Sequence, residues 1–155
     1  DWIRLVFMLV VMYLIQFKPE EIDKVWPLVK DKVQSALERN HEGKTLMDNQ
    51  HIKEMCKQGV KQLWVTVDKE DNFKGVCISE IAKYPNYNVG VVNIATGNDL
   101  PLWINKINVF EKWAFENCGC KKIEVYGRPG WKKMLEPLGF KYNHVQMDKF
   151  IGGHV

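Results

Sequence analysis

Val89-Gly90-Val91-Val92-Asn93-Ile94-Ala95, followed by Thr96-Gly97-Asn98-Asp99, is the stretch on which the reading of this chain turns. Apolar residues fall on both faces of the first seven positions, which marks a central strand rather than an edge strand. The next four residues turn the chain. Asp99 is expected to cap a helix, and Pro101 fits its first turn. In that helix Trp103, Ile107, Phe110 and Ala114 share one face, while Asn105, Asn108, Glu111, Lys112 and Glu116 look outward. Gly119 stops the helix, and a strand from Lys122 to Tyr126 follows at once. Strand, helix and strand with short joints make a βαβ unit, a crossover that is almost always right-handed.

Downstream, Gly127-Arg128-Pro129-Gly130 leads into a short helix, Trp131 to Pro137, closed by Gly139. Lys141 to Phe150 is expected as a last strand, and Gly152-Gly153 as a frayed end. Upstream, Gln62 to Asp68 alternates Leu63, Val65 and Val67 against Trp64, Thr66 and Asp68. Gly75 to Lys83 returns after the turn Lys69-Glu70-Asp71-Asn72, so the pair is a β-hairpin. Before the hairpin lie two helices. Pro19-Glu20-Glu21 starts the first, Ile22, Val25, Val29 and Val33 form its apolar face, and Pro27 is expected to kink or restart it. After a loop at His41-Glu42-Gly43-Lys44, Thr45 is expected to cap the second helix, with Asp48 three residues on, through about Gln58.

The N-terminal run Leu5 to Ile15 is apolar throughout but shorter than the roughly 20 residues that span a bilayer. Residues 1–11 are read as an apolar extension that need not be native, ahead of a single domain over 12–155 whose first strand is Tyr13 to Phe17. A signal or membrane segment and a genuine strand or helix are the other readings of that run. The whole is a mixed α/β (α+β) domain in the order β-α-α-β-β-β-α-β-α-β, with helices on both faces of a central sheet.

The chain has 155 residues, 46% of them hydrophobic and 26% charged, with a net charge of +3. That is an ordinary globular composition without the basic stripe of a nucleic-acid binder, so no nucleic-acid partner is expected. Cys56, Cys77, Cys118 and Cys120 form no CxxC pair and read as free thiols of a reducing cytoplasm. His41, His51, His144 and His154 lack ligand spacing, so no metal is expected.

The element order, closed by Leu135-Glu136-Pro137-Leu138-Gly139-Phe140, resembles the GCN5-related N-acetyltransferase (GNAT) superfamily over about residues 12 to 150. Glu124-Val125-Tyr126-Gly127-Arg128-Pro129-Gly130-Trp131 is similar to a segment of a small acetyltransferase-like group common in tailed phages. The resemblance implies acetyl-CoA as cofactor, lying where two central parallel strands splay apart, with its pyrophosphate on backbone amides before the central helix. On this chain that assigns cofactor contacts to Ile94, Ala95, Thr96, Gly97 and Asn98, with Arg128 as the nearby cation. The superfamily loop usually carries a basic residue and more glycines; here it has one glycine and Asp99. A carboxylate about 5 Å from a phosphate would cost roughly 3 kcal/mol at an effective dielectric near 20.

Many members use a tyrosine in the closing helix to protonate the leaving thiolate, and this chain has none there. Tyr126, at the end of the second parallel strand, is the substitute acid, since a phenol can give a proton to a thiolate. Glu80, on the same hairpin face as Val76 and Ile78, is the candidate base, and Asn93 the candidate substrate-orienting group. The expected function is acetyl transfer from acyl-CoA to an unidentified amine, on a small molecule or a protein. The alternative is a catalytically degenerate protein of the same fold, used for binding or assembly, for instance a phage structural or host-interaction component. The expected location is the cytoplasm, or the host cytoplasm or virion if the chain is phage-encoded, with no membrane partner.

Overall fold

Alternation of β-branched and aromatic residues with small ones sets the sheet. The computed structural model describes residues 11–40 and 47–152. Four strands, β1 (Met12–Phe17), β2 (Lys61–Asp68), β3 (Phe73–Lys83) and β4 (Asn88–Gly97), pair antiparallel in sequence order. β5 (Cys120–Val125) joins β4 in parallel, giving the order β1-β2-β3-β4-β5. The hairpin turns through Asp71 in the left-handed region, φ 63°.

Helices cover both faces, as the sequence pattern requires. On one face lie α1 (Ile22–Asn40) and α2 (Asn49–Lys57). Ile22, Val25, Trp26, Val29, Val33, Ala36 and Leu37 of α1 bury against Leu63, Val65, Val76, Ile78 and Ile94 of the sheet. A single 3-10 turn, Pro19–Glu21, starts α1, and Glu21 accepts the Lys18 N–H at 2.8 Å. Pro27 does not restart α1 as a separate element: the helix runs on to Asn40, and the proline faces solvent. The cap of α2 is Asp48, whose carboxylate accepts the His51 N–H at 3.1 Å. Thr45 and the loop His41 to Lys44 lie outside the described residues, as do residues 1–10, which include the first part of the N-terminal apolar run.

On the other face the expected central helix is divided. α3 (Leu100–Trp103) passes through a 3-10 turn, Ile104–Lys106, into α4 (Ile107–Cys118). Its stripe is as expected: Trp103, Phe110 and Ala114 are fully buried, and Ile107 nearly so. Phe110 and Trp113 both pack against Trp64 of β2 edge to face, with centroids 5.7 and 5.6 Å away. Asp99 does not cap α3 with its side chain. It sits in the left-handed region at φ 58°, and its carbonyl accepts the Leu102 N–H at 2.8 Å. α5 (Lys132–Leu135) lies between two 3-10 turns, Pro129–Trp131 and Glu136–Leu138.

The expected last strand over Lys141 to Phe150 is not formed: these residues hold no strand and lie exposed, Met147 at 90%. Their large apolar residues, Tyr142, Val145, Met147 and Phe150, do not keep a period of two, so no single face is available to bury. β5 therefore remains the outer strand on that side.

One irregularity positions everything that follows. In the β3–β4 ladder Ile78 pairs with Ile94, but Ser79 pairs with Val92. Asn93 is the extra residue of a β-bulge. Its insertion is why Val92 and Ala95, three positions apart, both face the α4 core, while Ile94 faces α1.

Candidate active site

The parallel pair β4–β5 holds for only half of β4. Paired residues run from Asn88 with Cys120 to Val92 with Val125, and a last bond joins the Tyr126 N–H to the Val92 carbonyl at 3.2 Å. Beyond it β4 continues with β3 to Gly97, while the other chain departs through Gly127 and Arg128. The two strands thus part at the bulge. A wedge of about 20 Å³, room for roughly one water, is lined by Ala36, Asn93, Ile94, Ala95, Tyr126, Gly127, Arg128 and Trp131. Gly127 is required here, because a Cβ on it would lie 2.4 Å from the Trp131 ring. The wedge opens into a cleft of about 1600 Å³ running along β5 beneath the C-terminal segment.

Strand register builds a polar row beside the wedge, on the face of α1. Lys61 pairs with Glu80, Glu80 with Val91, and Val91 with Glu124, so their side chains project from one face. Two strand spacings separate Glu80 from Glu124, roughly 10 Å. The Lys61 ammonium, 8% exposed, donates to Asn93 Oδ1 at 2.9 Å and lies 3.4 Å from Glu80 Oε1. Asn93 Nδ2 in turn donates to Glu80 Oε1 at 2.9 Å. The bulged asparagine is thereby held between a cation and a carboxylate, which fixes its amide orientation. Glu80 Oε2 has no protein partner among the described residues, and the side chain is 35% exposed towards the cleft.

Tyr126 closes the row. Its hydroxyl donates to Glu124 Oε2 at 3.2 Å, and Lys122 pairs with the other Glu124 oxygen at 3.0 Å. Partial desolvation first, then the Glu124 charge and hydrogen bond and, more weakly, Tyr84 and Glu80, raise the Tyr126 hydroxyl above the ordinary phenol range. Tyr126 therefore keeps its proton through neutral pH.

The turn after β4 is arranged differently from the expectation of an amide cradle. The Asn98 N–H is spent on the Lys74 carbonyl at 2.8 Å, and the Asn98 carbonyl accepts from the Trp103 indole at 3.0 Å. A Cβ on Gly97, φ 144°, would lie 2.3 Å from the Lys74 carbonyl. The glycine's close approach is thus to β3. Thr96, 7% exposed, accepts a hydrogen bond from the Arg39 guanidinium at 2.8 Å. Of the residues singled out in the sequence, the structure places Ile94, Ala95, Asn93, Tyr126 and Arg128 around the wedge, with Glu80 bonded to Asn93. It places Gly97 and Asn98 against the start of β3. The wedge has room for about one water, and the turn after β4 offers few free amide donors.

Sequence reasoning passed over Lys61 and Arg39. The alternation of β2, carried back from Leu63 by two positions, puts Lys61 on the face of Glu80, so a signal existed. Arg39 gave none, since nothing local shows that the last turn of α1 reaches β4.

No family model matches the sequence, and no curated protein matches it. Among solved structures, the chain is similar to an aminoglycoside acetyltransferase from an uncultured soil metagenomic sample, with a TM-score of 0.67 at 9% identity over 91% of this chain and 99% of that one. A Trypanosoma brucei acetyltransferase matches with a TM-score of 0.61 at 15% identity, covering 90% of this chain and 99% of that one. A possible acetyltransferase from Clostridium difficile 630 matches with a TM-score of 0.59 at 11% identity, over 93% of this chain and 99% of that one.

The chain has the GNAT fold.

The parting of β4 and β5 and the bulge at Asn93 lie towards the β5 edge of the sheet, where β4 backbone is freed from pairing with β5. Among the described residues no helix is long and apolar enough to cross a membrane.

Proposed function

We propose that the protein is an acyl-CoA-dependent N-acetyltransferase acting on an amine. The observation that carries this reading is the wedge: two parallel strands that part at a bulge, with a carboxylate and a phenol beside the opening. When bound, acetyl-CoA supplies an acyl thioester, whose carbonyl carbon bonds to the amine nitrogen as its C–S bond breaks. Glu80 Oε2 takes the proton that the amine must lose, directly or through one water. Tyr126 gives its hydroxyl proton to the departing sulfur, whose thiol form has an ordinary pKa of about 8.5. Asn93, fixed by Lys61, orients the incoming nitrogen.

A second reading rests on the turn after β4, where the Asn98 amide is spent and Asp99 faces solvent. On it, the fold serves binding or assembly, with a phage or host protein as partner, and no transfer takes place. The test is thiol release from acetyl-CoA across a panel of polyamines, amino sugars and lysine peptides, alongside a thermal shift with coenzyme A. The enzyme reading expects release with at least one amine and a shift corresponding to about 2.7 kcal/mol at a hundredfold excess over Kd. No shift at millimolar coenzyme A, and no release with any amine, favours the second reading.

A further inference from the structure

We infer that the phosphates of the acyl carrier are held from the α1 side of the wedge, by Arg39 and Arg128, and not by the turn between β4 and α3. The inference rests on the acyl-CoA reading above. In that turn the Asn98 and Leu102 amides are already bonded within the chain, and Pro101 has no N–H to give. Gly97 is pressed to the Lys74 carbonyl, and Asp99 presents a carboxylate to solvent. A diphosphate placed there would meet one negative charge and few donors.

The opposite wall is built the other way. Arg39 stands in the last turn of α1, one turn beyond Ala36, which lines the wedge itself. Its guanidinium is tethered to the buried Thr96 hydroxyl at 2.8 Å, which fixes a cation at the end of β4. A guanidinium has five N–H donors, so most remain for a ligand. Arg128 stands across the wedge, where the chain leaves β5; its carbonyl accepts the Trp131 N–H, but no hydrogen bond or ion pair engages its guanidinium among the described residues. Both arginines wall the same cleft, with Ile94 of β4 also in its lining. Two planar forks suit a diphosphate better than point charges do, because each can grip two oxygens at once. The cation missing from the turn is thus provided by a helix far away in sequence.

The test compares coenzyme A binding by calorimetry in wild type, Arg39→Gln, Arg128→Gln and the double variant, with Asp99→Asn as the turn control. Arg39→Lys and the melting temperature of each ligand-free variant separate lost charge from lost fold. Each glutamine variant is expected to bind coenzyme A about tenfold more weakly, the loss of roughly one charge-assisted contact, and the double variant about a hundredfold. Arg39→Lys should recover part of the loss, and the difference from wild type should shrink as salt rises. In turnover, the ratio of kcat/KM for acetyl-CoA to that for phosphate-free acetyl-pantetheine should fall about tenfold in each. Wild-type affinity in both arginine variants, with a clear change in Asp99→Asn, overturns this inference and leaves the enzyme reading standing. Wild-type protein that binds no coenzyme A overturns the reading itself, and the inference with it.

Discussion

The two halves of β4 have the same neighbours on one side and opposite circumstances on the other. From Asn88 to Val92 the strand is paired with β3 and β5 alike, and Gly90 lies close beneath Phe110 and Ile123. From Asn93 to Gly97 it keeps β3 but loses β5, and its freed edge faces a cleft. On the proposed reading the first half carries stability and the second carries the transfer chemistry. The change from one to the other takes a single inserted residue, Asn93, which bends the strand and re-aims its side chains. A site of this kind costs little stability, because only the partner on one edge is given up.

If that division is right, changes to the side chains that flank the open half should remove activity without loosening the fold. Glu80→Gln and Tyr126→Phe are each expected to lower kcat by 10²–10⁴, about 3–5.5 kcal/mol at the transition state, with melting temperatures close to wild type. Steady-state kinetics and calorimetry on the same preparations check both parts. Changes in the closed half should do the reverse. Phe110→Ala removes a fully buried ring in edge contact with Trp64, and about 3–5 kcal/mol of stability should be lost in a urea melt.

Alkaline pH sharpens the comparison on the side of β4 that stays closed. Burial pushes the Cys77 thiol, paired in register with Ala95, up to about 12, and Cys56 up to about 11. The folded protein holds these protons more tightly than the unfolded chain, so the contribution is intact below about pH 9 and is lost as pH rises from there towards 12. The slope is about 1.4 kcal/mol per pH unit for each thiol. Stability measured between pH 8 and 11 should decline, and Cys77→Val should flatten part of that decline. The smallest effect is expected at the far end of the chain: ending it after Tyr142 removes a segment whose described residues, 143–152, are exposed, and should change stability by less than about 1 kcal/mol.

Much of this was legible in the sequence, for reasons that can be named. The β4 segment is apolar at consecutive positions, which only a doubly covered strand requires, and the Trp103, Ile107, Phe110, Ala114 stripe can only face a core. Glu80 was legible because alternation from Val76 is unbroken in β3. The bulge was not, since nothing distinguishes an asparagine in a ladder from one inserted into it until the partner strand is known. Asp99 misled for a related reason. A short polar residue ahead of a helix usually caps it with its side chain, but a chain arriving from Gly97 at φ 144° enters the turn left-handed and uses the backbone instead. The last strand failed because ten residues of adequate β-propensity lacked a consistent buried face. Lys61 and Arg39 belong to the site through contacts between distant segments, 32 residues apart for Lys61 and Asn93 and 57 for Arg39 and Thr96.

The most direct test follows backbone amide resonances during titration with coenzyme A. The amides of Asn93 to Ala95 and of Tyr126 to Arg128 are expected to shift in a saturable way, while those of Asn88 to Val92 hold still. Shifts confined to the paired half of β4, or to surfaces remote from the wedge, would contradict the account.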